Sequence, residues 1–189
     1  MANTLKIAPD LYINPPRTGI PGARYDYRSV SLATTDLITT QLVALGILPA
    51  GHKLMDYFFE SDVLDTSTGL TVTIGVLNSY YGEQQAGTTG LRLTTGVTQA
   101  AAAYSSGGAT DTTSAPALVT GQNILTADSA SVRSGGRAVK TATLEFTNKL
   151  GVDLKFDRII AVQFPAAPTT AQAGTIGLGL LIDYSSTTT

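Results

Sequence analysis

Apolar side chains recur at every second position near the C-terminus, and this repeat constrains the fold more than any other feature of the sequence. Over residues 175–184, one set of alternate positions is apolar or aromatic: Ile176, Leu178, Leu180, Ile182 and Tyr184. The other set is mixed: Thr175, Gly177, Gly179, Leu181 and Asp183. Because successive side chains of a β-strand point to opposite faces, the repeat predicts a strand whose apolar set faces a core. The two glycines are expected where a bulky side chain or another backbone comes close.

The same repeat predicts further strands along the chain. The predicted segments are 53–63, 69–77, 138–147, 154–164 and, with a weaker pattern, 28–32 and 37–43. Turn-rich stretches such as 65–69 and 148–151 separate them, and the one helical candidate is the short segment 97–104. The sequence therefore predicts an all-β fold, a jelly-roll β-sandwich of about eight strands.

The chain has 189 residues, a length that suits one domain with a full core. We expect the sandwich to occupy residues 28–189. Within it, residues 105–134 are small, polar and interrupted by glycine and proline, which predicts a long surface excursion. Residues 1–27 are rich in proline, which favours an extended N-terminal arm over a core strand.

The predicted arm also carries tyrosine and arginine, the residue types that are enriched where proteins meet. If the arm is ordered, we expect it to lie along a neighbouring subunit and to contact that subunit through Tyr12, Arg17, Arg24, Tyr25 and Tyr27. A disordered tail is the alternative for this segment.

The composition excludes several classes of function. Charged residues make up 14% of the chain and the formal net charge is -2, which argues against a nucleic-acid binder that would neutralise phosphates with Lys and Arg. The chain contains no Cys, so a disulfide framework and a thiolate metal site are both excluded. We expect neither a signal peptide nor a transmembrane helix, because no apolar run is long enough.

Residues with catalytic chemistry are sparse. His52 is the one His, and its place after Gly51 predicts an ordinary turn or interface residue. Asp56, Glu60 and Asp62 share one face of a predicted strand, where a solvated face is the simple interpretation and a carboxylate-dependent hydrolase the minor alternative. Asp62 and Asp65 could offer oxygen ligands to Ca²⁺, although their spacing is not that of an EF-hand. We predict no catalytic residue, no cofactor and no metal.

Several segments together resemble a known family. They are residues 48–54 leading into a strand, the strand-like run 70–76, and the segments 164–167 and 171–175 before the last strand. In these features the chain resembles the jelly-roll decoration, or cement, proteins of tailed-bacteriophage heads. The resemblance implies a non-enzymatic structural protein on the exterior of the virion. It further implies a homotrimer that bridges major-capsid subunits, with no nucleic acid or membrane as partner.

A second function stays open beside this resemblance. Tyr80 and Tyr81 precede a polar stretch, 82–85, and form an exposed-looking aromatic cluster. Aromatic rings of this kind can stack on sugars. The alternative is therefore a module of a phage head fibre or tail fibre that binds host glycans through residues 80–85 and 105–134.

Overall fold

The computed structural model describes residues 4–8, 11, 22–81, 99–100, 117–139 and 157–183, and every structural statement below concerns this part of the chain. It contains strands, one 3-10 turn at Thr34–Asp36 and one single-turn helix, α1, at Ala130–Ser134. The strands are β1 (Thr4–Ile7), β2 (Ala23–Leu32), β3 (Gln41–Leu48), β4 (Lys53–Ser61), β5 (Thr71–Tyr81), β6 (Gln99–Ala100), β7 (Leu118–Asp128), β8 (Gly136–Val139), β9 (Asp157–Ala166) and β10 (Gly174–Asp183).

The strands form two sheets that pack against each other. The six-stranded sheet has the order β6-β1-β3-β9-β5-β7, and the four-stranded sheet has the order β2-β10-β4-β8. This architecture confirms the predicted all-β sandwich. The narrower jelly-roll assignment stays a prediction, since β1 runs parallel to β3 in an otherwise antiparallel set of described pairings.

The core lies between the sheets and uses the predicted alternation of β10. All four of its apolar alternate residues in the described range are buried: Ile176, Leu178, Leu180 and Ile182. Leu180 meets the facing sheet at Gly46, where an added Cβ would lie 2.5 Å from the Leu180 Cδ1 atom. The missing side chain of Gly46 therefore lets a Leu from the opposite sheet pack against the backbone of β3.

The centre of the six-stranded sheet is buried on both faces. Every residue of β3 is buried, including both sets of alternate positions. A strand covered on both sides is a continuous apolar run without a repeat of two. Because β3 lacks this repeat, the sequence predicted only a weak strand at 37–43, whereas β3 spans Gln41–Leu48.

The N-terminal residues differ from the predicted arm. Residues Thr4–Ile7 form β1, which pairs with β3, and Leu5 and Ile7 are buried in the core. The predicted boundary at residue 27 falls inside β2, which pairs with β10 along its whole length. The prolines that suggested an arm, from Pro9 to Pro21, come after β1 and before β2, so they carried no information on either strand.

The predicted excursion at 105–134 is corrected over its described part, because Leu118–Asp128 forms β7 and Ala130–Ser134 forms α1. β7 lies at the edge of its sheet and its register with β5 shifts repeatedly. An edge strand with an irregular register tolerates glycine and polar residues, which explains why the segment resembles a loop in sequence. The helix expected over 97–104 is also corrected, since Gln99–Ala100 pairs with β1 as β6.

Candidate interaction surface

Aromatic side chains gather on the outer face of the four-stranded sheet. Tyr25 and Tyr27 extend from β2, and Phe58 extends from β4 on the other side of β10. In the sheet register, Tyr27 and Phe58 both stand opposite Gly179. Tyr25 is 56% exposed and Tyr27 46% exposed, the highest values among the large apolar and aromatic residues described.

The rings of these residues contact one another across the glycines of β10. The ring centroids of Tyr27 and Phe58 lie 5.8 Å apart with an interplanar angle of 15°, so the two rings are stacked. The rings of Tyr25 and Phe58 lie 5.7 Å apart at 55°, so they are tilted. We call this surface, formed by Tyr25, Tyr27, Phe58, Gly177 and Gly179, the aromatic face.

The two glycines make this arrangement possible. A Cβ added at Gly177 would lie 2.3 Å from the hydroxyl oxygen of Tyr27, and one at Gly179 would lie 2.2 Å from a ring carbon of Phe58. Aromatic rings that cover strand glycines fill the space of the missing side chains. The sequence prediction that a bulky side chain would approach these glycines is therefore confirmed.

Carboxylates border the aromatic face. Asp56 stands opposite Leu181, which in turn stands opposite Tyr25, and Glu60 stands opposite Gly177. Asp62 follows the end of β4 and is exposed. Neighbouring strands are about 4.8 Å apart, so Asp56 and Tyr25, with β10 between them, are about 10 Å apart across the sheet. The carboxylates therefore lie along the β4 side of the aromatic face.

The structure places some of the predicted contact residues together and leaves others outside the described part of the chain. Tyr25 and Tyr27 share the aromatic face. Arg24 is exposed on the same strand, but as the residue next to Tyr25 it belongs to the opposite face. Tyr12 and Arg17 fall outside the described residues. Tyr80 and Tyr81 end β5, where the backbone register pairs them with Arg158 and Asp157, and their side chains are not described.

Sequence reasoning missed Phe58 as a member of the surface. Its position between Tyr57 and Phe59, both buried, was a usable signal, because the middle residue of three aromatics in a strand must face the other side. Phe58 is half-buried, since it lies over Gly179.

The carboxylates of β4 lie on the outer face of the sheet. Asp56 and Glu60 are partly exposed and four positions apart on one strand, a separation of about 13 Å between their Cα atoms. Asp62 is exposed and accepts a hydrogen bond from the backbone N–H of Thr175 at 2.7 Å.

Asp65 is a structural carboxylate and not a cation ligand. It is fully buried, and its oxygens accept hydrogen bonds from backbone N–H groups at 2.9 to 3.3 Å: those of Ser67, Gly69, Leu70, Thr169 and Thr170. Burial by itself raises the pKa of Asp65, but hydrogen bonds from Leu70, Thr170, Ser67 and Thr169 outweigh it and lower the pKa to about 2. The N–H groups present positive ends to the carboxylate, so they occupy the positions that a cation would need.

His52 has the turn role that the sequence predicted. Its backbone N–H donates to the carbonyl of Pro49 at 3.2 Å, and Gly51 supplies the positive φ of 76° that the turn requires. The ring nitrogen Nδ1 donates to the carbonyl of Ala50 at 2.7 Å, since a carbonyl can only accept. His52 is buried.

No group of three or more His, Asp or Glu side chains in the described ranges is placed to hold a metal ion. Within the same ranges, no helix has the length and apolar character needed to cross a membrane.

Comparison with known proteins shows the fold. No protein-family model matches the sequence, and no curated protein matches it. The structure is similar to a chain of "Capsid of Ralstonia phage GP4", with a TM-score of 0.60 and 19% identity over 95% of this chain and 97% of that chain. A chain of "Cyanophage Pam1 capsid asymmetric unit" gives a TM-score of 0.41 and 17% identity over 88% of this chain and 92% of that chain. The first similarity covers nearly all of both chains and shows that the two share a fold.

Proposed function

We propose that this chain is a structural protein of a phage virion. In this proposal it binds the outside of the capsid shell and stabilises the shell by bridging major-capsid subunits. The observation that carries the proposal is the similarity to a chain of a phage capsid, which extends over 95% of this chain and 97% of the other.

The aromatic face supports a function by adhesion. Tyr25 and Tyr27 expose large rings on a rigid sheet, and tyrosine at such positions contributes contact area with little loss of side-chain entropy. Arg24, exposed on the same strand, adds a planar donor that suits protein contacts. We propose that Arg24, Tyr25 and Tyr27 contact a neighbouring subunit, of the shell or of this protein.

Stabilisation of a shell requires only binding. A protein that binds the assembled state and not the separated subunits shifts the equilibrium toward the assembly. Each interface needs about 1,000 Å² of buried surface to be specific. A homotrimer, which we also propose, contacts the shell at three equivalent places, and linked contacts raise the overall affinity without any new chemistry.

Addition of the purified chain to parent particles that lack it tests the proposal. We expect the chain to sediment with the particles at a saturating, fixed ratio, and the decorated particles to retain their DNA at a higher temperature than bare ones. Particles that leave the chain in the supernatant, or that bind it without saturation, would contradict the proposal. Deletion of residues 1–27 is not a suitable variant, because it removes β1 and divides β2.

Glycan recognition by a phage fibre module is the second candidate. The observation in its favour is the pair of exposed rings, Tyr25 and Tyr27, on the face that also carries the carboxylate of Asp56, because sugars stack on aromatic rings and donate hydroxyl hydrogens to carboxylates. Tyr80 and Tyr81 stay proposed glycan contacts. A glycan array separates the two candidates: specific glycan binding by a chain that does not bind particles would favour the fibre module.

A further inference from the structure

The outer face of the four-stranded sheet combines exposed aromatic rings with carboxylates. Tyr25 and Tyr27 are about half exposed, and their rings contact the ring of Phe58 across β10. Because side chains alternate between the two faces of a strand, the same face also carries the acidic residues of β4, of the position after it and of β10. These residues are Asp56, Glu60, Asp62 and Asp183.

Cations balance two of these four carboxylates. Lys53 is the register partner of Asp183, and Arg137 is the register partner of Glu60. In the described pairings the other two carboxylates stand opposite uncharged residues of β10. Within the described part of the sheet, the outer face therefore has a net negative charge.

Asp56 is the unbalanced carboxylate close to the aromatic rings. It stands two positions before Phe58 on β4, about 6.6 Å along the strand. Its Oδ1 atom accepts the backbone N–H of Tyr57 at 2.8 Å, and among the described residues no donor reaches Oδ2. The ring of Tyr25 lies 5.7 Å from the ring of Phe58, so the aromatic surface continues from Asp56 to β2. Asp56 therefore offers a carboxylate oxygen at one side of the exposed rings.

The charge of the face selects among possible partners. The same face of a second copy is also negative, so two such faces repel each other, as do nucleic acids and anionic lipids. A cationic protein surface is complementary. Arginine fits the face better than lysine, because its planar guanidinium is weakly hydrated, stacks on tyrosine rings and pairs with carboxylates through two parallel hydrogen bonds.

We propose that the aromatic face is the surface that binds the phage shell, and that it receives arginine side chains of major-capsid subunits. The guanidinium groups stack on Tyr25 and Tyr27 and pair with Asp56. This inference rests on the proposed capsid role and adds the surface used and the chemistry of its partner. Charge pairs at a partly exposed surface are screened by salt, so attachment to the shell is sensitive to ionic strength.

Binding of full-length variants to parent particles that lack the chain tests the face. Cosedimentation gives the dissociation constant at about 50 mM and about 500 mM NaCl. One variant carries Tyr25→Ser and Tyr27→Ser, and another carries Asp56→Asn. Ile38→Lys is the matched control, because it makes the same change of net charge as Asp56→Asn at a side chain that is 44% exposed between β2 and β3. Circular dichroism and the melting temperature show that each variant is folded.

The tyrosine variant should bind at least about tenfold more weakly than the wild type at both salt concentrations. Asp56→Asn should weaken binding about three- to tenfold at low salt and less at high salt, because salt already screens the charge that it removes. Ile38→Lys should stay within about twofold of the wild type.

Chemical modification of the particles before mixing tests the partner. Phenylglyoxal reacts with arginine, and reductive methylation modifies lysine but keeps its charge. We expect phenylglyoxal to weaken binding of the wild-type chain at least about tenfold and methylation to change it less than about twofold. Electron microscopy shows that the modified particles are intact.

Other results would overturn the inference and leave the capsid role in place. They are wild-type affinity in both face variants, or loss of binding on lysine modification with none on arginine modification. Particle binding by the tyrosine variant with loss of glycan binding would make the face a sugar site and also overturn it. A wild-type chain that does not bind particles would instead contradict the capsid role, and the inference with it.

Discussion

Asp65 joins two loops at one end of the sandwich through its buried carboxylate. Three of its hydrogen-bond donors lie within five residues, at Ser67, Gly69 and Leu70, and two lie at Thr169 and Thr170. Replacement by Asn keeps the shape but removes the charge and turns an NH2 group toward backbone N–H donors. We expect Asp65→Asn to lower the free energy of unfolding by about 2 to 3 kcal/mol, measured by urea denaturation.

Asp62→Asn is the matched control for this substitution. Asp62 is also a carboxylate that accepts a backbone N–H, but it is exposed and has a single such bond in the described residues. We expect its substitution to cost less than about 1 kcal/mol. Equal losses of unfolding free energy in the two variants would show that the buried hydrogen bonds of Asp65 contribute no more to stability than the exposed one of Asp62.

The lowered pKa of Asp65 predicts an acid-sensitive contribution to stability. Burial opposes ionisation, yet the backbone hydrogen bonds bring the pKa to about 2, below the ordinary value of 3.8. A group whose pKa is lower in the folded state stabilises fully above its unfolded pKa and loses that contribution as the pH falls. The difference in unfolding free energy between wild type and Asp65→Asn should be constant above about pH 5 and shrink toward pH 2. A difference that grows on acidification would contradict the assignment.

Gly179 and Phe58 should be energetically coupled. A Cβ at Gly179 would lie 2.2 Å from the Phe58 ring, so the ring of a Gly179→Ala variant must move away from β10 and from Tyr27. We expect a loss of about 1 to 3 kcal/mol. In a Phe58→Ala background the same substitution should cost much less, and a double-mutant cycle by urea denaturation measures the difference. Additive losses of unfolding free energy would mean that the packing of the Phe58 ring does not depend on Gly179.

The sequence indicated some of these residues and not others. The alternation in the sequence predicted that Gly177 and Gly179 lie on the outer face of β10 and that a bulky group lies close to them. Both predictions depend only on the spacing of residues along one strand. For Asp65, the sequence predicted a turn residue that could offer an oxygen ligand to a cation. Its donors at Thr169 and Thr170 are about a hundred positions away in the chain, and local spacing carries no information on such a contact.

At the scale of elements, strands whose apolar residues alternate with small or polar ones could be predicted, and strands without that alternation could not. β10 and β5 follow the repeat of two, so their apolar sets were identified in advance. β3 is buried on both faces and lacks the repeat. β1 has four residues and β7 lies at an irregular edge, so pairing partners decide their structure more than their own sequence does.

β1 should contribute to stability although it lies near the N-terminus. Leu5 is fully buried beside β3. We expect Leu5→Ala to lower the unfolding free energy by about 2 to 4 kcal/mol, because it leaves a cavity in the core. Ile38→Ala, at a side chain that is 44% exposed, should cost less than about 0.5 kcal/mol. A near-neutral Leu5→Ala variant would support a peripheral arm in place of a core strand.

At the scale of the whole molecule, the fold class could be predicted from the sequence, and the aromatic face could be predicted only in part. Repeated alternation and the absence of a helical pattern were sufficient to predict a sandwich. The sequence predicted Tyr25 and Tyr27 as contact residues through their types, but the aromatic face also contains Phe58, from a strand about thirty positions later. Such a surface depends on sheet order, which alternation does not determine.

The central claim is that this protein acts by adhesion on the outside of a phage shell, without a chemical reaction. Cryo-electron microscopy of the parent particle tests it most directly. The account predicts density for this sandwich on the shell exterior, in clusters of three that contact neighbouring major-capsid subunits. Density for the chain inside the shell, in a tail fibre, or nowhere on the particle would contradict it.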